Sequence, residues 1–210
     1  HGAVLVPCCD SCGAPGVGIG FLFLVERGDP MSVTEKECHC FYAETKEERA
    51  AHAAGYRDIV RFLSDRTSVV DLGCGDGVFI ELFRQMYPRK KIIGVDTNDE
   101  LIALARQANQ PDSIVQADAC AFIRENAALF DGFVMADVIE HLDVGEVTQI
   151  LQAIPSGARV YIRTPNTNSL LGHQFFLQEP THKAAYCPLV LQRLLARAGF
   201  DILASGERDG

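Results

Sequence analysis

Apolar positions along the chain follow two alternating rhythms. Short β-branched and aliphatic runs read as strands: "SVVDL" (68–72), "KIIGVD" (91–96), "SIVQAD" (113–118), "FDGFVMAD" (130–137), "ARVYIRTPN" (158–166) and "FDILAS" (200–205). Between them the apolar positions recur at helical spacing. In segment 45–65, Tyr56, Ile59, Val60 and Leu63 stand at i, i+3, i+4 and i+7 on one face, and Thr45 with Glu48 makes a capping-box pattern. Further helices are expected over 76–87, stopping at Pro88, and over 98–109, with acids in the first turn; others follow over 119–127, 145–154 and 188–199. The last has Pro188 at its start and Gly199 at its end. Residues 164–187 carry no such rhythm and read as one long loop. Strands alternating with helices predict an α/β fold with a mostly parallel, doubly wound sheet. Ligands of such sheets bind at the carboxyl ends of the strands.

Composition changes this picture little. The chain has 210 residues, 48% hydrophobic and 22% charged, enough for one or two domains. A net charge of −9 argues against a nucleic-acid backbone as the main partner. No run of 18 apolar residues predicts a membrane-spanning helix. Of eight cysteines, Cys74 and Cys120 sit in or beside strand-end motifs. Cys8, Cys9 and Cys12 with Cys38 and Cys40 have a loose zinc-like spacing, set against unpaired thiols of a cytoplasmic protein. Residues 1–30 differ in character from the rest and read as an extension, with a single domain over 31–210.

The candidate chemistry begins at "VVDLGCGDGVFIELF" (69–83), where a buried-looking run ends in an acid and three alternating glycines. A triphosphate loop requires G-x-x-x-x-G-K-[ST], and this turn has neither the Lys nor the hydroxyl. A dinucleotide fingerprint requires G-x-G-x-x-G, and its third glycine would fall on Val78 or Ile80. The pattern is instead Asp71-x-Gly73-x-Gly75-x-Gly77. An acid two residues ahead of the glycines suits an ammonium group better than a pyrophosphate. Asp96 ends the second strand, where a carboxylate can accept both hydroxyls of a ribose. Asp118 ends the third, where an acid can accept from an adenine amino group and the Ala119 amide can meet a ring nitrogen. A ribose, an adenine and a cation without a required phosphate describe S-adenosylmethionine.

In order and spacing, "VVDLGCGDG", "IIGVD", "QADA" and "FDGFVMADVIEHL" resemble the successive motifs of class I S-adenosylmethionine-dependent methyltransferases over about residues 45–205. The resemblance implies a Rossmann-like sheet of seven-stranded type. It implies cofactor binding by Asp71, Gly73, Cys74, Gly75, Gly77, Asp96, Thr97, Asp118, Ala119 and Ala136, with S-adenosylhomocysteine as product. That fold closes with an antiparallel hairpin of strands six and seven. The sequence ends at Gly210, soon after the sixth expected strand. An incomplete sheet edge, open to pairing with a second chain, is therefore expected.

"ADVIEHLD" after the fourth strand supplies the acceptor side. As a helical turn it would put Asp137, Glu140 and His141 on one face, able to hold Mg²⁺ or act as a base. The segment resembles ubiquinone-biosynthesis O-methyltransferases and small-RNA 3′-end methyltransferases, in which two Glu and a His bind a divalent metal. The shorter Asp137 favours a base or positioning role here over a metal. The loop 164–187 contributes His173, His182, Phe175, Phe176 and Tyr186. Its TPN…N…L…G…FF…PTH pattern resembles methyltransferases of polysaccharide and glycolipid modification. The reading is a methyltransferase for a small-molecule or saccharide hydroxyl, with Glu140, His141 and His182 as catalytic candidates. The alternatives are an Mg²⁺-dependent phenol or quinone-precursor enzyme and a non-catalytic cofactor-binding module.

Overall fold

The structure is a computed structural model that describes residues 46–205. The capping pattern at Thr45, the extension over 1–30 and the cysteines at 8, 9, 12, 38 and 40 lie outside the described residues.

The expected alternation is present. Helix α1 (Lys46–Phe62) leads to β1 (Ser68–Leu72), α2 (Val78–Met86), β2 (Lys91–Asp96), α3 (Asp99–Ala108) and β3 (Ile114–Gln116). Then come α4 (Ala119–Asn126), β4 (Gly132–Ala136), α5 (Val144–Ala153), β5 (Arg159–Arg163), α6 (Leu170–Gln178) and α7 (Pro188–Arg197). All pairings are parallel and the strand order is β3-β2-β1-β4-β5. The chain builds outward from β1 to β3, then returns to β4 on the other side of β1. The topological switch therefore lies between β1 and β4, where an open sheet of this kind binds its ligand.

Alternation along β1 divides the core. Val70 and Leu72 pack with Val95, Phe133, Met135 and residues of α4 and α5, including Ile123, Val147, Ile150 and Leu151. Val69 packs on the opposite face with Ile59, Val60 and Leu63 at α1, Phe79, Ile80 and Phe83 of α2, and Ile102 and Ala105 of α3. With both faces covered, the central strands have near-continuous buried runs, as parallel strands do. The α1 face read from the sequence is the one buried: Ile59, Val60 and Leu63 are fully inside, and the Tyr56 ring meets Phe79 at 5.7 Å. No helix among the described residues is long and apolar enough to cross a membrane.

Two expectations are corrected. Residues 164–187 are not one loop, because α6 forms within them, N-capped by the Ser169 hydroxyl accepting from the Gly172 amide. Its apolar residues give no one-sided pattern: Leu170, Leu171, Phe175 and Leu177 are all exposed. Residues 200–205 form no strand; β5 is the last strand of the sheet among the described residues, and Leu203 is exposed. An alternating apolar sequence becomes a strand only where a neighbour accepts its hydrogen bonds. Phe200 alone of that stretch packs against the core.

Candidate active site

The loop from β1 to α2 crosses the carboxyl end of β2. The amides of Gly73 and Cys74 both donate to the Val95 carbonyl, at 2.7 and 3.0 Å. The Gly75 amide donates to Oδ2 of Asp96 at 2.9 Å, while Oδ1 accepts from the Asn98 amide at 2.9 Å. Asp96 thus fixes both the glycine loop and the entry to α3. Gly73, Gly75 and Gly77 have φ of 71, 53 and 79°, the left-handed region that side chains disfavour. At Gly73 a Cβ would also lie 1.8 Å from Cγ2 of Val138, so space and conformation both demand glycine.

Asp71 is buried beneath this loop on β1, and burial first, then the Asp96 charge, pushes its carboxyl well above the usual range. Cys74 is buried, with its thiol raised by burial and then by Asp71. Thr97 follows Asp96 and accepts through its carbonyl from the Gln116 amide side chain at 3.2 Å. Asp118 caps α4, its Oδ1 accepting from the Ala121 amide at 2.7 Å, and Ala119 is the first residue of that helix. Ala136 ends β4, beside β1 at the switch. All the expected cofactor residues therefore gather along the carboxyl ends of β1 to β4.

On the acceptor side the turn differs from expectation. Asp137 has a left-handed φ of 56°, and only Ile139–His141 forms a tight 3-10 turn, so Asp137 does not share a helical face with Glu140 and His141. Its Oδ2 instead accepts from Arg163 at the end of β5, through Nε at 2.8 Å and through Nη2. The guanidinium also lies 5.0 Å over the ring of Tyr56, whose hydroxyl is raised to about 12 by burial. Arg163 was not foreseen from the sequence. The signal was available: a charged residue ends an otherwise largely apolar strand in "YIRTPN".

Glu140 is 1% exposed, and its Oε2 has no hydrogen-bond partner. Burial, then the Asp137 charge, raises its carboxyl to about 8. The Glu140 carbonyl accepts from the amides of Lys183 and Ala184, at 2.7 and 3.1 Å, which straps the segment after α6 onto the turn. That strap brings His182 to His141, with ring centroids 4.6 Å apart. Phe176 of α6 stacks on His182 at 5.1 Å, and its carbonyl accepts from His182 Nδ1 at 2.8 Å. His141 Nδ1 meets the Thr181 hydroxyl at 2.8 Å, and that hydroxyl donates its one proton to Glu179 Oε1 at 3.0 Å. Both contacts place a hydrogen on Nδ1 of the imidazole. One donor atom each from Glu140, His141 and His182 falls within 4.8 Å of the others. The donor set the structure assembles is thus Glu140, His141 and His182; Asp137 is held by Arg163. His173 and Phe175 are exposed on α6, and Tyr186 is buried in the core.

The comparisons agree with this geometry. A family profile described as a methyltransferase domain matches residues 42–205. Trans-aconitate 2-methyltransferase of Azoarcus sp. (strain BH72) is 29% identical over 125 residues, covering 59% of this chain and 49% of that protein. The enzyme of the same name from Rhizobium meliloti (strain 1021) is 25% identical over 160 residues, covering 74% of this chain and 60% of that protein. The chain thus spans about half to three-fifths of the length of these curated relatives. The crystal structure of a SAM-dependent methyltransferase from Archaeoglobus fulgidus superposes with a TM-score of 0.65 at 28% identity, covering 73% of this chain and 69% of that one. With the glycine loop, the strand-end acids and the sheet order in place, the chain belongs to the methyltransferase-domain family and has the class I S-adenosylmethionine-dependent methyltransferase fold.

Proposed function

We propose that this domain transfers the methyl group of S-adenosylmethionine to a hydroxyl oxygen of a small molecule, saccharides included. The observation that carries the acceptor class is the cluster of Glu140, His141 and His182. A hydroxyl must lose a proton as it attacks, and imidazoles suit that task. A carboxylate acceptor arrives ionised and calls for cations, whereas Arg163 is engaged by Asp137.

In this reading Asp96 accepts from the ribose hydroxyls while holding Gly75. Asp71 sits beneath the glycine loop, where the positive charge of the bound cofactor would favour its ionised form over the protonated form of the free protein. The acceptor oxygen attacks the sulfonium methyl in line. The new O–C bond forms as the C–S bond breaks, and the sulfur keeps the electron pair as S-adenosylhomocysteine. The chain's own contribution is orientation, exclusion of water and handling of the acceptor proton.

A second reading takes its support from the relatives named for trans-aconitate, an acid. Assays with labelled S-adenosylmethionine over sugars, phenols and trans-aconitate separate the two. Turnover on a hydroxyl that falls in His182→Ala supports the first reading. Turnover on trans-aconitate that His141→Ala and His182→Ala leave intact overturns it.

A further inference from the structure

No residue of α6 is buried, and Leu170, Leu171, Phe175 and Leu177 stand exposed on it, Leu170 at 85%. Its other side chains are His173, Gln174, Phe176 and Gln178, so the helix carries no carboxylate, ammonium or guanidinium. At about 100° per residue the four exposed apolar side chains fall within roughly 160° of one face. Large apolar side chains left this open mark a surface that meets a partner. The helix is nevertheless held in place. The Ser169 hydroxyl caps it, and Phe176, off the exposed face, stacks on His182.

A groove of about 290 Å³ opens between the start of α5 and α7. Val144, Tyr186, Val190 and Leu194 make it apolar, and Arg193 and Arg197, one turn apart on α7, flank it. Both arginines are exposed, and neither has an ion pair among the described residues. Tyr186 bridges Asn166, and its carbonyl accepts from the Thr167 amide at 3.0 Å, just ahead of the α6 cap. The groove and the start of α6 therefore share one support. Over residues 164–205 three cations, Lys183, Arg193 and Arg197, stand against two acids, whereas the whole chain has 19 against 28. This end of an acidic chain is the one an anionic surface repels least.

We propose that α6 and the α5–α7 groove dock the domain on an anionic lipid surface, with Leu170, Leu171, Phe175 and Leu177 entering the apolar layer and Arg193 and Arg197 taking lipid phosphates.

A bilayer meets both halves of this surface. Its apolar layer accepts side chains without hydrogen bonds or a fixed register, and its headgroups supply the anions. Guanidinium forks match phosphate oxygens. A protein partner would be specified by polar complements, and α6 offers only His173, Gln174 and Gln178 for that purpose. A soluble anion would occupy the arginines and leave α6 uncovered. Because α6 holds His182 through Phe176, docking turns the segment beside the acceptor cluster toward the lipid. That the acceptor hydroxyl is itself carried by a lipid rests on the functional reading above.

Co-sedimentation of the full chain with vesicles tests the docking without any turnover. Binding is expected to vesicles of phosphatidylcholine mixed with phosphatidylglycerol, more weakly to phosphatidylcholine alone, and to fall with added salt. Leu171→Gln combined with Phe175→Gln should lower partitioning by about 10²-fold, and Arg193→Gln combined with Arg197→Gln by about tenfold or more. All four sites are exposed, so melting temperature and S-adenosylhomocysteine binding should stay as in wild type. No binding to either vesicle, or binding that either pair of substitutions leaves unchanged, overturns the proposal. So does release from the vesicles by inorganic phosphate at constant ionic strength, which would mark a soluble-anion site. A wild-type dimer in gel filtration that Leu171→Gln with Phe175→Gln dissociates would assign the face to a second copy and overturn it too. Absence of S-adenosylhomocysteine binding in wild type would overturn the functional reading alone, and the vesicle result would stand.

Discussion

At Asp96 one carboxylate serves the glycine loop and the entry to α3 together, through the Gly75 and Asn98 amides. Its substitution should therefore be felt twice. Asp96→Ala should weaken S-adenosylmethionine binding by about 2 kcal/mol or more, as losing charge-assisted bonds to the ribose does, and should lower the melting temperature of the ligand-free protein too. Calorimetry showing unchanged affinity would remove Asp96 from the cofactor site. Asp71 makes a prediction about pH. Its carboxyl is raised in the native state, so the folded protein holds a proton that the unfolded chain releases near 3.8. That contribution is complete below the unfolded value and is lost as pH rises through the native one, at up to about 1.4 kcal/mol per pH unit. Asp71→Asn cannot ionise, so its melting temperature should gain on wild type as pH rises from 3.8 toward the raised native value. Melting curves that stay parallel across that range would contradict the assignment.

Among elements, the segment from β5 to α7 departs furthest from what the sequence conveyed. Strands and helices up to β5 announce themselves because each buries a regular apolar face, as Val69, Val70 and Leu72 do on β1. Helix α6 does not, since Leu170, Leu171, Phe175 and Leu177 face outward and leave no one-sided rhythm. The same limit applied to the site. The glycine turn and the strand-end acids were legible, because local spacing encodes them. The partnership of His182 with His141 was not, because it depends on Lys183 and Ala184 pairing with the Glu140 carbonyl about forty residues away in the chain. Asp137 misled for a related reason: its left-handed backbone and its bond to Arg163 are tertiary facts. If the strap places His182 over the acceptor, His182→Ala should keep cofactor affinity while lowering turnover by about 10²-fold or more. Full turnover in that variant would displace the acceptor site. The β1–α2 loop is the rigid counterpart. Gly73→Ala, facing Val138 with a left-handed backbone, should cost about 2–4 kcal/mol of stability, read from denaturant unfolding.

Across the whole molecule, the sheet order sets the site before any side chain is considered. Reversal of direction at β1 opens a crevice beside β4, and the glycine loop, Asp96, Asp118 and the Glu140 turn follow the carboxyl ends of β1 to β4 along the same sheet edge. What distinguishes this crevice from a dinucleotide site is its chemistry: Val78 and Ile80 stand where a third glycine would be needed, and an acid precedes the turn. The most direct measurement is calorimetric titration of the purified protein with S-adenosylhomocysteine and, separately, with NAD and NADP. The account predicts saturable binding of S-adenosylhomocysteine, abolished or strongly weakened in Asp96→Ala, and no binding of either dinucleotide. Saturable NAD or NADP binding with none for S-adenosylhomocysteine would contradict it.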